Sequence, residues 1–517
     1  MAKPEVQIVV DWDIDGLFTG TGEDITSRVL DVVAFRGRDY ASQLTGRSQA
    51  GILKLLINNE SGDYSSFNTG SPIAGLVLPA RKVQLQLGSG SFPYTFPFVF
   101  VEEPFWTGYV LRIEPQPFAG GLKTVILDAI GPLGHYNQRR VYLAMGTSKL
   151  TGTSVGEILD EAGVPAADRS IDTGQTTMNR FWVNGLAFTN ALRKVEETES
   201  GFVLESKDGK IVFEDRHHRL ASPHTTSQTT FSDAGGSSKT YSGADQEDPL
   251  PNIFNIFEAK MIFYTVASVA VAWTHPETGA SSPKVERDGG TRTFLATFPN
   301  PDSANAAVAI NAWTTPIATT DFLANSQAGG GGDNLTGDIG VSVVSSGNQL
   351  QIILTNNNAS QDAFMTFLQA RGTIISASDP VKVTAENAAS KTAYGERTFP
   401  NPGEYIPDTQ EAQDWADFNL AIYKDPVPII SIVINGNKDD THMFEVLARD
   451  ISERITLVGT GNSGLGVNED FFIEAVAIHI QRGGRIDVTW ALSPAVPFSD
   501  FWVLGTSALD TQTRLAY

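Results

Sequence analysis

Apolar and polar residues alternate along most of this chain, and alternation at period two predicts half-buried β-strands. Gly51, Leu53, Leu55 and Ile57 make one face, with Lys54 and Asn58 on the other. Val83, Leu85 and Leu87 make a second such face. Val6–Val10, Phe105–Ile113 with Trp106 as a core anchor, and Thr124–Ala129 read the same way, with turn residues between them. Residues 1–145 are therefore predicted to be almost wholly β, a small barrel or sandwich. The residues from 59 to 81 are rich in Gly, Ser, Asn and Pro. A connection of that length is usually a functional excursion, and here it is expected to reach a neighbouring subunit.

The period then changes. Ser154 with Glu157 three residues on has the spacing of a capping box. Val155, Ile158, Leu159 and Ala162 follow at helical spacing until Gly163 and Pro165. Phe188, Ala191, Leu192 and Val195 predict a second helix ending near Gly201. Phe202–Glu205 and Ile211–Glu214 flank Asp208-Gly209, a hairpin signal in which both central residues want positive φ. Residues 146–222 thus form a small α/β domain.

Residues 221–248 are Ser-, Thr- and Gly-rich and predict loops. From 260 to 395 charge is low and Ala, Ser, Asn and Gly are frequent, with strands expected at 340–344 and 350–354 and a helix at Ala304–Trp313. The pentapeptide Thr-Phe-Pro-Asn-Pro occurs at 297–301 and 398–402, read as recurring strand-end and turn chemistry, a trace of duplication, or chance. A helix is predicted at Thr409–Tyr423, then strands at 429–434, 451–458, 471–480 and 485–492, the last two joined by a turn at Gln481–Gly484. The fold class is mainly β with a small α/β part.

Composition narrows the function. With 59 acidic against 37 basic residues the net charge is −22. That excludes a basic nucleic-acid-binding surface, which needs clustered Lys and Arg, and with it sequence-specific nucleic-acid binding. The chain has no cysteine, so disulfides and thiolate metal sites are impossible. No apolar run follows Met1-Ala2-Lys3-Pro4, which predicts no signal peptide. The most apolar stretch, Met261–Trp273, is too short to span a bilayer, and no transmembrane segment is predicted.

Candidate chemistry is sparse. Asp11, Asp13 and Asp15 alternate before Gly16, as carboxylates do in the first half of a calcium loop. The acid expected at position 12 is absent, with Gly22 there and Glu23 one later, so Ca2+ binding competes with a solvated acidic turn. His217 and His218 are neighbours that would point to opposite faces of a strand and chelate poorly. The run Gly329–Gly332 lacks the Lys and Ser/Thr of a phosphate loop. No Gly-x-Ser-x-Gly elbow occurs. Glu157 could be imagined as a hydrolytic acid, but a capping role explains it more simply. No cofactor and no enzyme activity is expected.

One resemblance stands out. Val10–Gly16, Arg36-Gly37-Arg38, Ala50–Leu53, Leu56–Asn59, Tyr64-Ser65 and Ser71–Gly75 resemble stretches of the tail proteins of long-tailed bacteriophages and related prophages, in particular baseplate hub or tail-tip proteins. So do Gly464–Phe472, Thr489–Ala495, Trp502–Gly505 and Leu515–Tyr517. The resemblance covers nearly all of the chain except about 260–395. It implies two tube-like β-barrel or sandwich domains per subunit, at 1–145 and at 223–259 with 396–517, so that three subunits imitate a six-fold ring. The α/β domain at 146–222 would decorate them, and 260–395 would be an inserted β-rich domain. It further implies a structural virion protein, assembled in the host cytoplasm as a homo-oligomer, a trimer by that ring argument. Its neighbours would be distal tail or tube proteins, the tape-measure protein, and tip or fibre proteins around a DNA conduit with an acidic wall. Two readings of another kind stay open: a tail-associated cell-wall or polysaccharide hydrolase, and a carbohydrate-binding tail protein with 260–395 as receptor binder.

Overall fold

A computed structural model describes residues 5–38, 47–88, 102–116, 121–234, 236–248, 250–275, 282–298, 307–401, 404–426, 428–460, 464–498, 501–502 and 514–515. Of the stretches singled out above, Val503–Gly505 and residues 516–517 lie outside these. The chain is mainly β, as its alternation predicts. Among the described residues no sheet closes into a barrel.

The architecture rests on one 12-stranded sheet. Its N-terminal part runs, edge inward, Glu5–Asp11, Lys82–Gly88, Glu102–Gln116, Thr124–Ile130, Ser48–Asn58 and Val29–Arg38. The next strand in the sheet is Val467–Ile480, followed by Ile486–Pro494, Ile429–Asn435 and Gly243–Glu247. Arg454–Gly459 and Thr230–Ser232 extend it beside the start of 467–480. The two β regions read from the sequence are thus not separate bodies. Val32–Gly37 pair antiparallel with Ala475–Ile480, so backbone hydrogen bonds cross from one to the other. The core follows the sheet: one cluster holds Leu55, Leu85, Trp106 and Leu127 together with Phe231, Ile432, Leu457 and Trp490. A central strand covered on both faces reads as a continuous apolar run, and Phe471–Val476 are all buried.

The excursion at 59–81 does not leave this core. Tyr64, Ile73 and Val77 are part of it, and Tyr64 packs 6.3 Å from the Trp12 ring. Phe67, at 93% exposure, and Leu78 are the large apolar side chains of the loop left exposed.

Residues 140–214 build a second core from Val155, Ile158, Leu159, Phe181, Phe188, Leu192 and Phe213. The capping box fails. The first helix is Thr151–Glu161, starting a turn earlier than Ser154, whose side chain is buried inside it without a hydrogen-bond partner. Its start is fixed by tertiary bonds instead, Thr151 N–H to Thr176 O and Gly152 N–H to Thr173 O. Glu157 is ion-paired with Lys149. The second helix is Phe188–Glu199, closed by Ser200 at φ 58°. In the hairpin only Gly209 has positive φ, because the loop is wider than a two-residue turn: Ser206 N–H bonds Lys210 O at 3.0 Å.

Between 262 and 378 two smaller sheets form. One centres on Ala363–Ala377, flanked by Tyr264–Thr274, Lys284–Val285, Ala307–Trp313 and Phe322–Asn325; the other has Gly290–Thr297, Gln349–Asn356 and Ile339–Ser346. The helix expected at Ala304–Trp313 is wrong: residues 307–313 are a strand paired to 363–377, residues 304–306 lying outside the described ones. Alanine's helix propensity is a weak prior that strand pairing overrides. The first Thr-Phe-Pro-Asn-Pro begins at a strand end, and its residues 299–301 lie outside the described ones; the first four residues of the second are the strand Thr398–Asn401. Helix Thr409–Tyr423, capped by Asp408, packs on Ile256–Met261 and Val381–Glu386 through Trp415 and Ala416. Helix Asp440–Ala448, absent from the sequence reading, is capped by Asp439 and sends Met443 and Val446 into the main core. No helix among the described residues is long and apolar enough to cross a membrane.

Candidate functional site

The acidic loop converges as its spacing predicts. Carboxylate oxygens of Asp11, Asp13 and Asp15 lie within 4.8 Å of one another, the one group of three or more such ligands found among the described residues. Local amides use them. Asp11, buried at the end of strand 5–11, accepts Ile14 N–H at 2.7 Å, Asp15 N–H at 3.2 Å and Gly16 N–H at 3.1 Å. Asp13 accepts Asp15 N–H at 3.3 Å and Asp15 accepts Leu17 N–H at 2.7 Å. Glu23 turns elsewhere, accepting Trp12 N–H and Gly20 N–H. Three carboxylates already engaged fall short of the about six to eight oxygens calcium takes.

A larger constellation lies where the parts of the chain meet. Strand 467–480 bulges between Ile473 and Ala475, and a bulge re-aims a side chain. The residue between them is Glu474. Its carboxylate accepts Arg38 Nη1 at 3.1 Å, from strand 29–38. It also accepts two bonds from Arg219, at 2.6 and 3.0 Å, and the Ser493 hydroxyl at 2.6 Å. Arg219 follows the hairpin of the α/β part. One carboxylate therefore ties three regions of the chain together. Burial alone would raise its pKa; the charges of Arg219 and Arg38, with the Arg219 and Ser493 hydrogen bonds, override that and hold it at about 2. The guanidiniums lie over aromatic faces, Arg38 3.7 Å from the Phe202 centroid and Arg219 4.9 Å from that of Phe472. Arg219 also donates to Ser452, whose hydroxyl bonds Glu214.

Gly37 makes this junction possible. Its φ is +126°, and a Cβ there would lie 2.5 Å from Ala475 Cα. The motif Arg36-Gly37-Arg38 is thus one close backbone approach flanked by two buried cations, Arg36 pairing with Asp450.

Further bonds cross the same boundary. Glu199 accepts Thr151 Oγ1, the amides of Gln175 and Thr176, and Arg216, which also pairs with Glu411 of helix 409–423 at 3.1 Å. Glu205 accepts Gly51 N–H and Leu133 N–H, each at 2.7 Å; burial pushes it to about 7. His217 and His218 do not share a ligand. His218 pairs with Asp172 at 2.8 Å and with Glu214 at 3.5 Å, and its ring lies 4.6 Å from that of His224. Burial lowers both imidazoles; Asp172 and Glu214 override it and raise His218, while burial and the His218 charge leave His224 at about 4. A cavity of about 170 Å³ beside the junction is lined by Arg38, Phe202, Arg219, Trp415, Phe418 and Tyr423 among others. Glu157 does not line it.

Sequence reasoning located strand 471–480 but passed over the one charged residue in Phe471–Ile478. A lone acid in an apolar run is almost never buried unpaired, and that was the available signal for Glu474.

No family model and no curated protein matches the chain. Solved structures do. The tail protein from Neisseria meningitidis MC58 superposes with a TM-score of 0.50 at 9% identity, covering 95% of this chain and 97% of that one. The fold is that of a tail protein. The 43 kDa tail protein of prophage MuSo2 from Shewanella oneidensis aligns at TM-score 0.47 and 9% identity, over 95% of this chain and 99% of that one. Prophage tail protein gp18 from Listeria monocytogenes EGD-e aligns at 0.39 and 8%, over 94% of each. The resemblance to phage tail proteins is carried by this tail-protein fold, since identity near one residue in ten leaves little else.

Proposed function

We propose that the protein is a structural component of a phage tail, a baseplate hub at the distal end that joins the tube to the tip and forms part of the DNA conduit. The observation that carries this is the continuous sheet in which two β regions of one chain pair edge to edge through strands 29–38 and 467–480. A subunit that supplies two such regions in fixed register can fill two places of a six-fold ring, so the working assembly is a homotrimer. Its neighbours are distal tail or tube proteins, the tape-measure protein and tip or fibre proteins. It is built into virions assembled in the host cytoplasm, and its role is non-enzymatic.

The sheet face away from the core is the candidate conduit wall. One row across seven strands reads Arg112, Asp128, Lys54, Val33, His479, Asp487 and Asn435. The adjacent row, Ile130, Ile52, Phe35, Ala477, Thr489 and Val433, is uncharged. Two cations and two anions balance in these two rows, and the next row on the same face adds two acids, Glu114 beside Arg112 and Asp31 beside His479. The wall this reading needs is one without clustered cations to hold phosphate, and the extra acids of this face suit it. The Asp11–Asp15 loop serves this reading as a rigid turn rather than a calcium site.

Electron microscopy of the purified protein and of particles tests the proposal. A three-fold ring with a central pore, labelled at the distal tail end, is the expected result. Monomers without a pore, and label elsewhere on the particle, would refute it.

A further inference from the structure

Strand Tyr264–Thr274 stands out because no described residue protects its outer edge. It pairs with Ala363–Ala377 along one side only. That partner's other edge is taken over the same residues by 307–313. No hydrogen bond reaches the outer edge of 264–274 from any described residue. Seven consecutive residues, Thr265–Val271, are exposed. From Met261 to Thr274 there is no Lys, Arg, Asp, Glu or Pro.

Soluble proteins blunt exposed edges with charge, proline or a covering segment. This chain does so elsewhere. Strand 243–247, at one end of the long sheet, carries exposed Asp245 and Glu247. Strand 5–11, at the other end, is covered by residues 23–26 through Val10 N–H to Glu23 O and Ile25 N–H to Ile8 O, both 2.9 Å. Among the described residues, strand 264–274 lacks all three devices. Meanwhile the strand is held firmly: Tyr264 packs edge-on to Trp182 at 4.9 Å and donates to Glu404 O, and Ala272 is buried at the far end. It is a pre-formed template, and pre-formation lowers the entropy lost on pairing.

We propose that this edge accepts a β-strand from a different protein of the tail. The chemistry of the partner follows from the edge. Unpaired N–H and C=O groups in strand geometry call for an extended segment, which adds by backbone hydrogen bonds. Flanking side chains of Val, Ala, Thr and Ser call for an uncharged segment of small and β-branched residues, because a charge laid against them would lose hydration without a counter-ion. The inference rests on the ring reading of the preceding subsection in one respect. Copies related by the three-fold axis of that ring cannot lay this strand antiparallel against itself, as a two-fold axis would, and the added strand is assigned to another polypeptide.

The test compares amide hydrogen exchange of residues 264–274 in the purified full-length chain and in purified tails. Exchange in the tail is expected to slow by about 100-fold or more. A Val269→Cys variant, carrying the only thiol of the chain, is labelled with a photo-crosslinker and assembled. It is expected to join a second polypeptide species within the particle at an uncharged segment, and Val269→Lys to abolish that protection without loss of the chain's own fold. Equal exchange in free chain and tail, or crosslinking to a second copy of this chain, would overturn the inference alone. Particles lacking the chain would overturn the tail reading as well.

Discussion

Replacing Glu474 by Gln removes one negative charge from a site where two buried guanidiniums meet. The side chain keeps its size, so packing is little altered and the effect is electrostatic. Its magnitude can be approached twice. A carboxyl held at about 2 against an ordinary 4.5 favours the ionised, paired state by about 3 kcal/mol at neutral pH. Breaking a buried ion pair from one side costs about 3–5 kcal/mol, because the remaining charge is stranded. The two agree, and Glu474→Gln should lose about 3–5 kcal/mol in urea unfolding followed by circular dichroism. The pH dependence has a definite sign. The folded pKa is depressed, so the contribution is present in full above about 4.5 and fades as pH falls from there towards 2. Wild type and variant should therefore converge in acid. A second variant separates charge from packing: Glu474→Leu with Arg38→Met and Arg219→Met removes all three charges and should recover most of the loss, as apolar replacements of buried ion pairs do. A Glu474→Gln protein within about 0.5 kcal/mol of wild type at pH 7, or a difference that persists unchanged at pH 2, would refute the reasoning.

Three other outcomes follow from the same geometry. Gly37→Ala forces a side chain into a left-handed φ against Ala475 and should cost about 2 kcal/mol or more by urea titration; an unaffected midpoint would mean that the strands can part without penalty. The paired histidines should titrate in opposite senses by carbon-13 NMR. His218 gains stability for the fold below about 6.5 that is lost as pH rises through its raised pKa, whereas His224 favours the fold above 6.5 and weakens it as pH falls towards about 4; coincident midpoints near 6.5 would contradict this. Asp11→Ala removes the acceptor of three loop amides and should destabilise by about 1–3 kcal/mol, and calorimetric titration of wild type with Ca2+ should give no heat of binding below millimolar concentration; a tighter site would show that the amides yield to the ion.

What the sequence disclosed and what it hid divide along a physical line. Gly51–Ile57 and Val83–Leu87 were legible because a half-buried strand writes its environment into every second residue. Helices 188–199 and 409–423 were legible because their apolar stripes and stops are local. Ala307–Trp313 was misread because alanine satisfies either period, and the decision lay with a partner strand some sixty residues away. Helix 440–448 was missed although Asp439 marks its start, because only two side chains enter the core. The convergence of Asp11, Asp13 and Asp15 was readable, but not which donors would occupy their lone pairs. Ser154 failed as a cap for a related reason: contacts with 173–176 set the helix start. The pairing of strand 29–38 with 467–480 left no local mark at all. Its only traces were the glycine between two arginines and the acid inside an apolar run.

That pairing also sets a schedule for synthesis. Strand 29–38 leaves the ribosome about 440 residues before its partner is complete, an interval of roughly 20–90 s at about 5–20 residues per second. Throughout it the nascent N-terminal region carries an edge open to any extended segment. Arg36 and Arg38, cations with no carboxylate yet to meet, discourage such premature partners, and the arrival of Asp450 for Arg36 and of Glu474 for Arg38 turns the same two side chains from a deterrent into a lock.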